Sequence, residues 1–149
     1  MSSEMKVTRR LQWTVPMHPI AQKRHRHTRQ GRTYDLCAAD KVKFRRRSIA
    51  ECEKFLNVDT SPMSMKFVFS CARPQAHYTT KKRLKLSSKA PVHHVYKPDI
   101  DNYVKFVMDA LCGTFYSDDS QVFSIDATKR WVDEGNQGVY VELISYEHT

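Results

Sequence analysis

The residues best suited to chemistry in this chain are carboxylates. Five aspartates fall in the 26 residues from Lys97 to Val122, KPDIDNYVKFVMDALCGTFYSDDSQV. Asp99 and Asp101 stand two residues apart where a helix is expected to start, so their oxygens can converge on one point. Lys105 follows Asp101 by one helical turn on the same face. Asp118 and Asp119 fall in a turn beyond the next short apolar stretch, and an adjacent strand could carry them back beside the helix start. Oxygen donors without His or Cys suit a hard divalent cation such as Mg2+ or Mn2+. Such an ion offsets the repulsion among carboxylates, binds a phosphate oxygen, lowers the pKa of a bound water and stabilises charge on a leaving oxygen. A neighbouring lysine can do the last job or orient the attacking water. The same residues also have a purely structural use. Asp and Asn cap helix N-termini, and SDDS makes an ordinary turn.

This acidic segment sits in a basic chain. Lys and Arg number 25 against 16 Asp and Glu, a formal charge of +9 over 149 residues. The excess points to an anionic partner, nucleic acid first and an anionic membrane second. A bound cation would let an acidic pocket work within such a surface, with basic loops holding the phosphate backbone around it. The length suits one domain, residues 1–149. No apolar run approaches the ~20 residues of a membrane span, and MSSEMKVTRRLQW lacks the apolar core of a signal peptide. The expectation is an intracellular, cytoplasmic protein with no membrane partner. Cys37, Cys52, Cys71 and Cys112 are scattered without a Cys-x-x-Cys pair, which favours reduced thiols over a zinc site. His25, His27, His93 and His94 have no cysteine at ligand spacing and are expected in exposed loops or against phosphates.

The elements that must position these groups follow from periodicity. Val7, Arg9, Leu11, Trp13 and Val15 alternate as a strand ended by Pro16 and Pro19. AQKRHRHTRQGRTYD then reads as an exposed basic loop, whose Lys23, Arg24, Arg26, Arg29 and Arg32 are candidate DNA contacts. From Ala38 to Leu56 the spacing predicts a helix burying Val42, Ile49, Cys52, Phe55 and Leu56, with Lys43, Arg46, Arg47, Glu51 and Lys54 outward. Arg45, Arg46 and Arg47 suit a solvated helix face as well as they suit DNA. Met65, Phe67 and Phe69 mark a buried strand. Residues 72–97 form a long polar segment, functional or disordered by its length, whose Lys81, Lys82 and Arg83 are further candidate DNA contacts. The helix after Pro98 is expected from about Asp101 to Leu111, ended by Gly113, with Tyr103, Val104, Val107, Met108 and Leu111 as its apolar stripe. Asp109 is expected in a surface salt bridge or cap, and Asn102 in capping. Phe115-Tyr116 could be a short strand. Val122–Val132 and Val139–Tyr146 are expected to pair as a hairpin across DEGNQG. The order β-α-β-α-β-β gives an α+β domain, a two-layer sandwich with two main helices on one face of a mixed sheet.

KPDIDNYVKFVMDAL followed by DDSQV resembles the RusA family of Holliday junction resolvases, whose hallmark is KPDxDNxxK…DAL…DDxQV. The resemblance is dense from Lys97 to Val122. It extends loosely to KRHRHTRQGRTYD and to the basic pair Lys129-Arg130. It implies an endonuclease that cuts four-way junction DNA symmetrically, acts as a homodimer and depends on Mg2+ or Mn2+. By motif, Asp99 and Asp101 match the first two metal-binding aspartates, Lys105 the catalytic lysine and Asp119 the third essential acid, with Asp118 adjacent. The family's two-layer α+β sandwich agrees with the order of elements above. Tyr103 departs from the usual leucine, which bears on helix packing rather than chemistry, and the segment between Arg73 and Tyr96 is similar only in character. Two other readings stand beside this one. One is a nuclease of the same scaffold acting on flaps, branched RNA or other branched nucleic acid. The other is a non-catalytic nucleic-acid-binding protein whose aspartates only cap a helix.

Overall fold

A computed structural model of the chain describes residues 5–52 and 57–148. A four-stranded sheet runs in the order β1 (Val7–Val15), β6 (Gly138–Tyr146), β4 (Met63–Ala72), β5 (Val122–Val132). β6 is antiparallel to both neighbours, and β4 and β5 are parallel. Helices α1 (Ala38–Glu51) and α2 (Ile100–Leu111) pack on each other, with α1 toward β1 and α2 toward β5. This is the expected α+β arrangement of two layers, a mixed sheet with both helices on one face. β2 (Arg26–His27) and β3 (Thr33–Tyr34) form a small exposed hairpin within the basic loop. Among the described residues no helix is long and apolar enough to cross a membrane.

The core is built by strict alternation. Met63, Met65, Phe67, Phe69 and Cys71 of β4 all face the helices, joined by Val139, Val141 and Leu143 of β6 and by Trp13 and Val15 of β1. From α2 come Tyr103, Phe106, Val107, Ala110 and Leu111. Phe69 stacks on Tyr103 and Phe106 meets Phe44 of α1 edge-on, ring arrangements that add to simple area burial. Phe67 and Phe69 are therefore core residues, as their alternation implies.

Three expectations are corrected here. β5 and β6 do not form a hairpin, because β4 lies between them. The link from Asp133 to Gln137 passes over the end of β4, a span of two strand spacings, about 10 Å, within reach of five residues. The most apolar strand thereby gains a partner on each edge. β5 is left at the margin, where Phe123 and Ile125 are exposed rather than buried. Phe115-Tyr116 is not a strand. Tyr116 makes single bridges to Asp59 and Cys112, and both rings are fully buried, Phe115 stacked on Trp13. Helix α1 is rotated from its expected phase. It buries Lys41, Phe44 and Ser48, while Val42 and Ile49 are 39% and 37% exposed. Lys54, Phe55 and Leu56 lie outside the described residues, and Cys52 caps the helix.

The phase of α1 follows from an ion-pair cluster. Lys41 Nζ donates to Asp35 Oδ2 at 2.5 Å and to Asp109 Oδ2 at 3.2 Å. Asp35 also accepts from Gln22 Nε2 and from the Cys37 backbone N–H, each at 2.9 Å. Burial raises the Asp35 pKa, but the Lys41 contact and the other two donors outweigh it and hold it at about 2. With two carboxylates to receive it, a lysine is satisfied on the inner face of the helix, where periodicity alone would set an apolar residue. Arg45 Nε donates to the Ala110 carbonyl at 2.7 Å, which makes that arginine a helix-to-helix tie.

Candidate active site

α2 presents its apolar stripe to the sheet and Asp101, Lys105 and Asp109, spaced by four, to the outside. Asp99 is the N-cap in extended backbone, and Ile100, not Asp101, is the first helical residue. Capping does not account for the pair. Asp99 makes no side-chain cap hydrogen bond, and no ion pair among the described residues uses Asp99, Asp101 or Lys105. Two exposed carboxylates and an exposed ammonium are thus left uncommitted around the first turn and a half of one helix.

The basic loop lies across that helix start. The Gln22 backbone N–H donates to the Asn102 carbonyl at 2.9 Å. Gln22, Lys23 and Asn102 stand between two clefts, of about 500 and 470 Å³. Asp99, Lys97 and Pro98 line the first, and Arg24, His25, Lys105 and Asp109 the second. The Asn102 backbone carbonyl is therefore a docking point for the loop. Of the expected DNA contacts, Lys23 shares the first cleft with Asp99, and Lys23 and Arg24 share the second with Lys105 and Asp109. Arg26, Arg29 and Arg32 are exposed on and around the small hairpin. Lys81 and Lys82 are exposed in the 73–97 segment. Arg83 has structural partners: it donates to the Arg73 carbonyl at 2.7 Å, pairs with Glu134 at 3.2 Å and lies over the Tyr78 ring. His93 is exposed, whereas His94 is only 5% exposed and stacks on Trp131, contrary to the expectation of an open loop.

The acids of the SDDS turn do not join Asp99 and Asp101. Asp118 caps a short 3-10 turn, accepting from the Ser120 N–H at 3.0 Å while Gln121 Oε1 accepts from the Asp118 N–H, so the structural reading holds for it. Those Ser120 contacts lower its pKa. Asp119 Oδ1 accepts from the Tyr116 hydroxyl at 2.7 Å, and that hydroxyl also lies 2.8 Å from the Met108 carbonyl oxygen. Burial, then Asp119 itself, pushes the Tyr116 pKa up. Met108 is nine residues beyond Asp99, about 13 Å of helix. Asp119 therefore stands at the far end of α2, where it, Asp118 and Asp109 add to burial in raising the Cys112 thiol pKa.

This geometry bears on a metal ion in two ways. Asp99 and Asp101 fit the habit of Mg2+, which is held by one or two carboxylates and completes its shell with water and substrate phosphate. A three-acid cage is not assembled: among the described residues no three His, Cys, Asp or Glu side chains are grouped to hold an ion. The positive end of the helix, about half an elementary charge, favours the carboxylates and opposes a cation, and the two acids together outweigh it.

Sequence periodicity missed the Asp35–Lys41–Asp109 cluster, which fastens the loop that carries Lys23 to both helices. Its signal was a lysine spaced three and seven residues from Phe44 and Ser48 on the face that proved to be inner.

Comparison with known proteins adds to this geometry. An uncharacterized protein, YqaN of Bacillus subtilis (strain 168), is 30% identical over 138 residues, covering 91% of this chain and 97% of that protein. The family model described as endodeoxyribonuclease RusA matches residues 16–144, a span that includes the basic loop, both helices and the aspartates of α2. The chain belongs to the RusA endodeoxyribonuclease family.

Proposed function

We propose that the chain is a metal-dependent, structure-specific DNA endonuclease that resolves Holliday junctions in recombination and repair. The observation that carries the reading is the uncommitted pair Asp99 and Asp101 beside a cleft edged by Lys23, with Lys105 one turn further on. Asp99 and Asp101 would hold Mg2+, with Mn2+ able to replace it. When bound, the ion supplies Lewis-acid activation of the phosphate and hydroxide near neutral pH. Lys23 and Arg24 grip the backbone on either side of the scissile phosphate. Lys105 offers its ammonium group to the charge that builds on the phosphate or leaving oxygen. Asp119 enters through the family motif alone, as the third acid, and its part in cutting is tested separately from that of Asp99 and Asp101. Two incisions on strands of like polarity call for two identical sites, which a two-fold homodimer supplies. A cytoplasmic location, where DNA is the substrate, follows from the same reading.

The test is cleavage of a synthetic four-way junction in Mg2+, beside linear duplex and flap DNA. Asp101→Asn is expected to reduce cutting by at least about 100-fold. It should leave junction binding intact or tighter, because removing a negative charge eases phosphate approach. Asp119→Asn is expected to lose cutting as well. Normal cutting by Asp101→Asn overturns the site. Faster cutting of flaps than junctions makes the chain a branched-substrate nuclease of another kind, and binding without cutting at any metal concentration makes it a non-catalytic binder.

A further inference from the structure

Next to the cleft that carries Asp99 is another hollow, of about 280 Å³, which shares Pro19, Lys97 and Pro98 with it. Its walls are mostly rings: His18, His94, Pro98, Tyr103 and Trp131. The His94 imidazole and the Trp131 indole lie 4° from parallel with centroids 3.9 Å apart, and His77 meets the same indole edge-on. Burial, with Lys129 and His77 nearby, lowers the His94 pKa, so this ring is neutral at neutral pH. Trp131 Nε1 is buried without an acceptor among the described residues. Lys129 Nζ donates to the Tyr96 and Pro98 carbonyls at 2.5 and 2.9 Å, tying down the strip that forms one rim. The lining contains no carboxylate, and Lys97 is exposed at its edge.

Flat apolar walls and a cationic rim match one ligand chemistry well. A nucleobase has two π faces to stack and a phosphate on each side. We propose that this hollow is a nucleobase subsite, taking one unpaired base of a DNA strand whose neighbouring phosphate lies at the start of α2. Pro98, in its wall, directly precedes Asp99, so a base seated here sets its backbone within about one nucleotide of the free carboxylates. Branch points offer unstacked bases at little cost, and intact duplex does not. The subsite rests on the nuclease reading and gives it a reason to favour branched over linear DNA.

The test compares octathymidylate with an abasic oligomer of equal length and charge, titrated into the full chain. The oligomer with bases should bind about fivefold tighter or more and quench tryptophan emission. Trp131→Leu should lose the quench, because the other tryptophan, Trp13, is buried against Phe115. His18→Ala changes an exposed rim residue and should shrink the base-to-abasic ratio at unchanged melting temperature. Equal affinity for the two oligomers, a quench that survives in Trp131→Leu, or an unaltered ratio in His18→Ala overturns the subsite. Should Trp131→Leu fail to fold, His18→Ala alone decides. Junction cutting without a base preference sinks the subsite only, whereas a base preference without cutting sinks the nuclease reading and leaves the subsite standing.

Discussion

Replacing Lys41 by methionine removes the cation from the cluster that joins the basic loop to both helices and keeps a similar side-chain volume. The Asp35 carboxylate then has only Gln22 and the Cys37 N–H to hold its charge. Its pKa, now depressed from 3.8 to about 2, corresponds to about 2.4 kcal/mol of folding stability at 1.36 kcal/mol per pKa unit. The Asp35 side chain is 18% exposed and not all of its donors are lost, so about 1–2 kcal/mol of this belongs to Lys41. Asp109, 47% exposed, adds little. The expected total is about 1–2 kcal/mol, or roughly 3–6 °C in Tm for a chain of this size. Because the folded pKa lies below the unfolded one, this stability is complete above about pH 4 and is lost as the pH falls through about 2. Urea unfolding of the wild type and Lys41→Met at pH 7, 5, 3 and 2 checks it. The gap should be widest at pH 5 and above and close toward pH 2. A gap under about 0.5 kcal/mol at pH 7, or one of equal size at pH 7 and pH 2, refutes the assignment of the cluster as an electrostatic clasp.

Lys105→Ala should reduce junction cleavage by about 100-fold or more with no change in Tm, because the side chain has no ion partner among the described residues; a fall in Tm would mark it as structural. Phe67→Ala, at a fully buried position in the central strand, should cost about 3–5 kcal/mol by urea titration. Gly113, at φ 87° just beyond α2, should lose about 1–2 kcal/mol on replacement by Ala, even though nothing lies within 4 Å of the added methyl group; a neutral result would show that the turn relaxes.

Legibility in the sequence tracked the strength of local signals. β1 and β4 follow from unbroken alternation, and α2 from an apolar stripe with a Pro before it and a Gly after it. The hidden features are those decided by distant partners. Nothing in DEGNQG distinguishes a tight hairpin from a link that steps over a strand, and the choice went to burying both edges of MSMKFVFSCA. The phase of α1 misled because Lys41 is made inward by Asp35 and Asp109, residues 6 and 68 positions away. At the site, Asp99, Asp101 and Lys105 share one helix start, so their proximity could be read directly. The position of Asp119 depends on how Tyr116 buries its ring, which the spacing of SDDS does not encode.

The order β1-β6-β4-β5 inserts the last strand between the first and the central one. While the chain is being synthesised, β1 must wait without a partner until residues 138–146 have emerged from the ribosome. Val139, Val141 and Leu143 arrive with that strand and close the apolar layer under both helices. The molecule therefore completes its fold only after translation of β6, and a chain cut short before that point carries every aspartate of α2 on a sheet split in two. On the reading proposed above, a truncated product would retain Asp99, Asp101 and Lys105 but lack the framework that holds them in place.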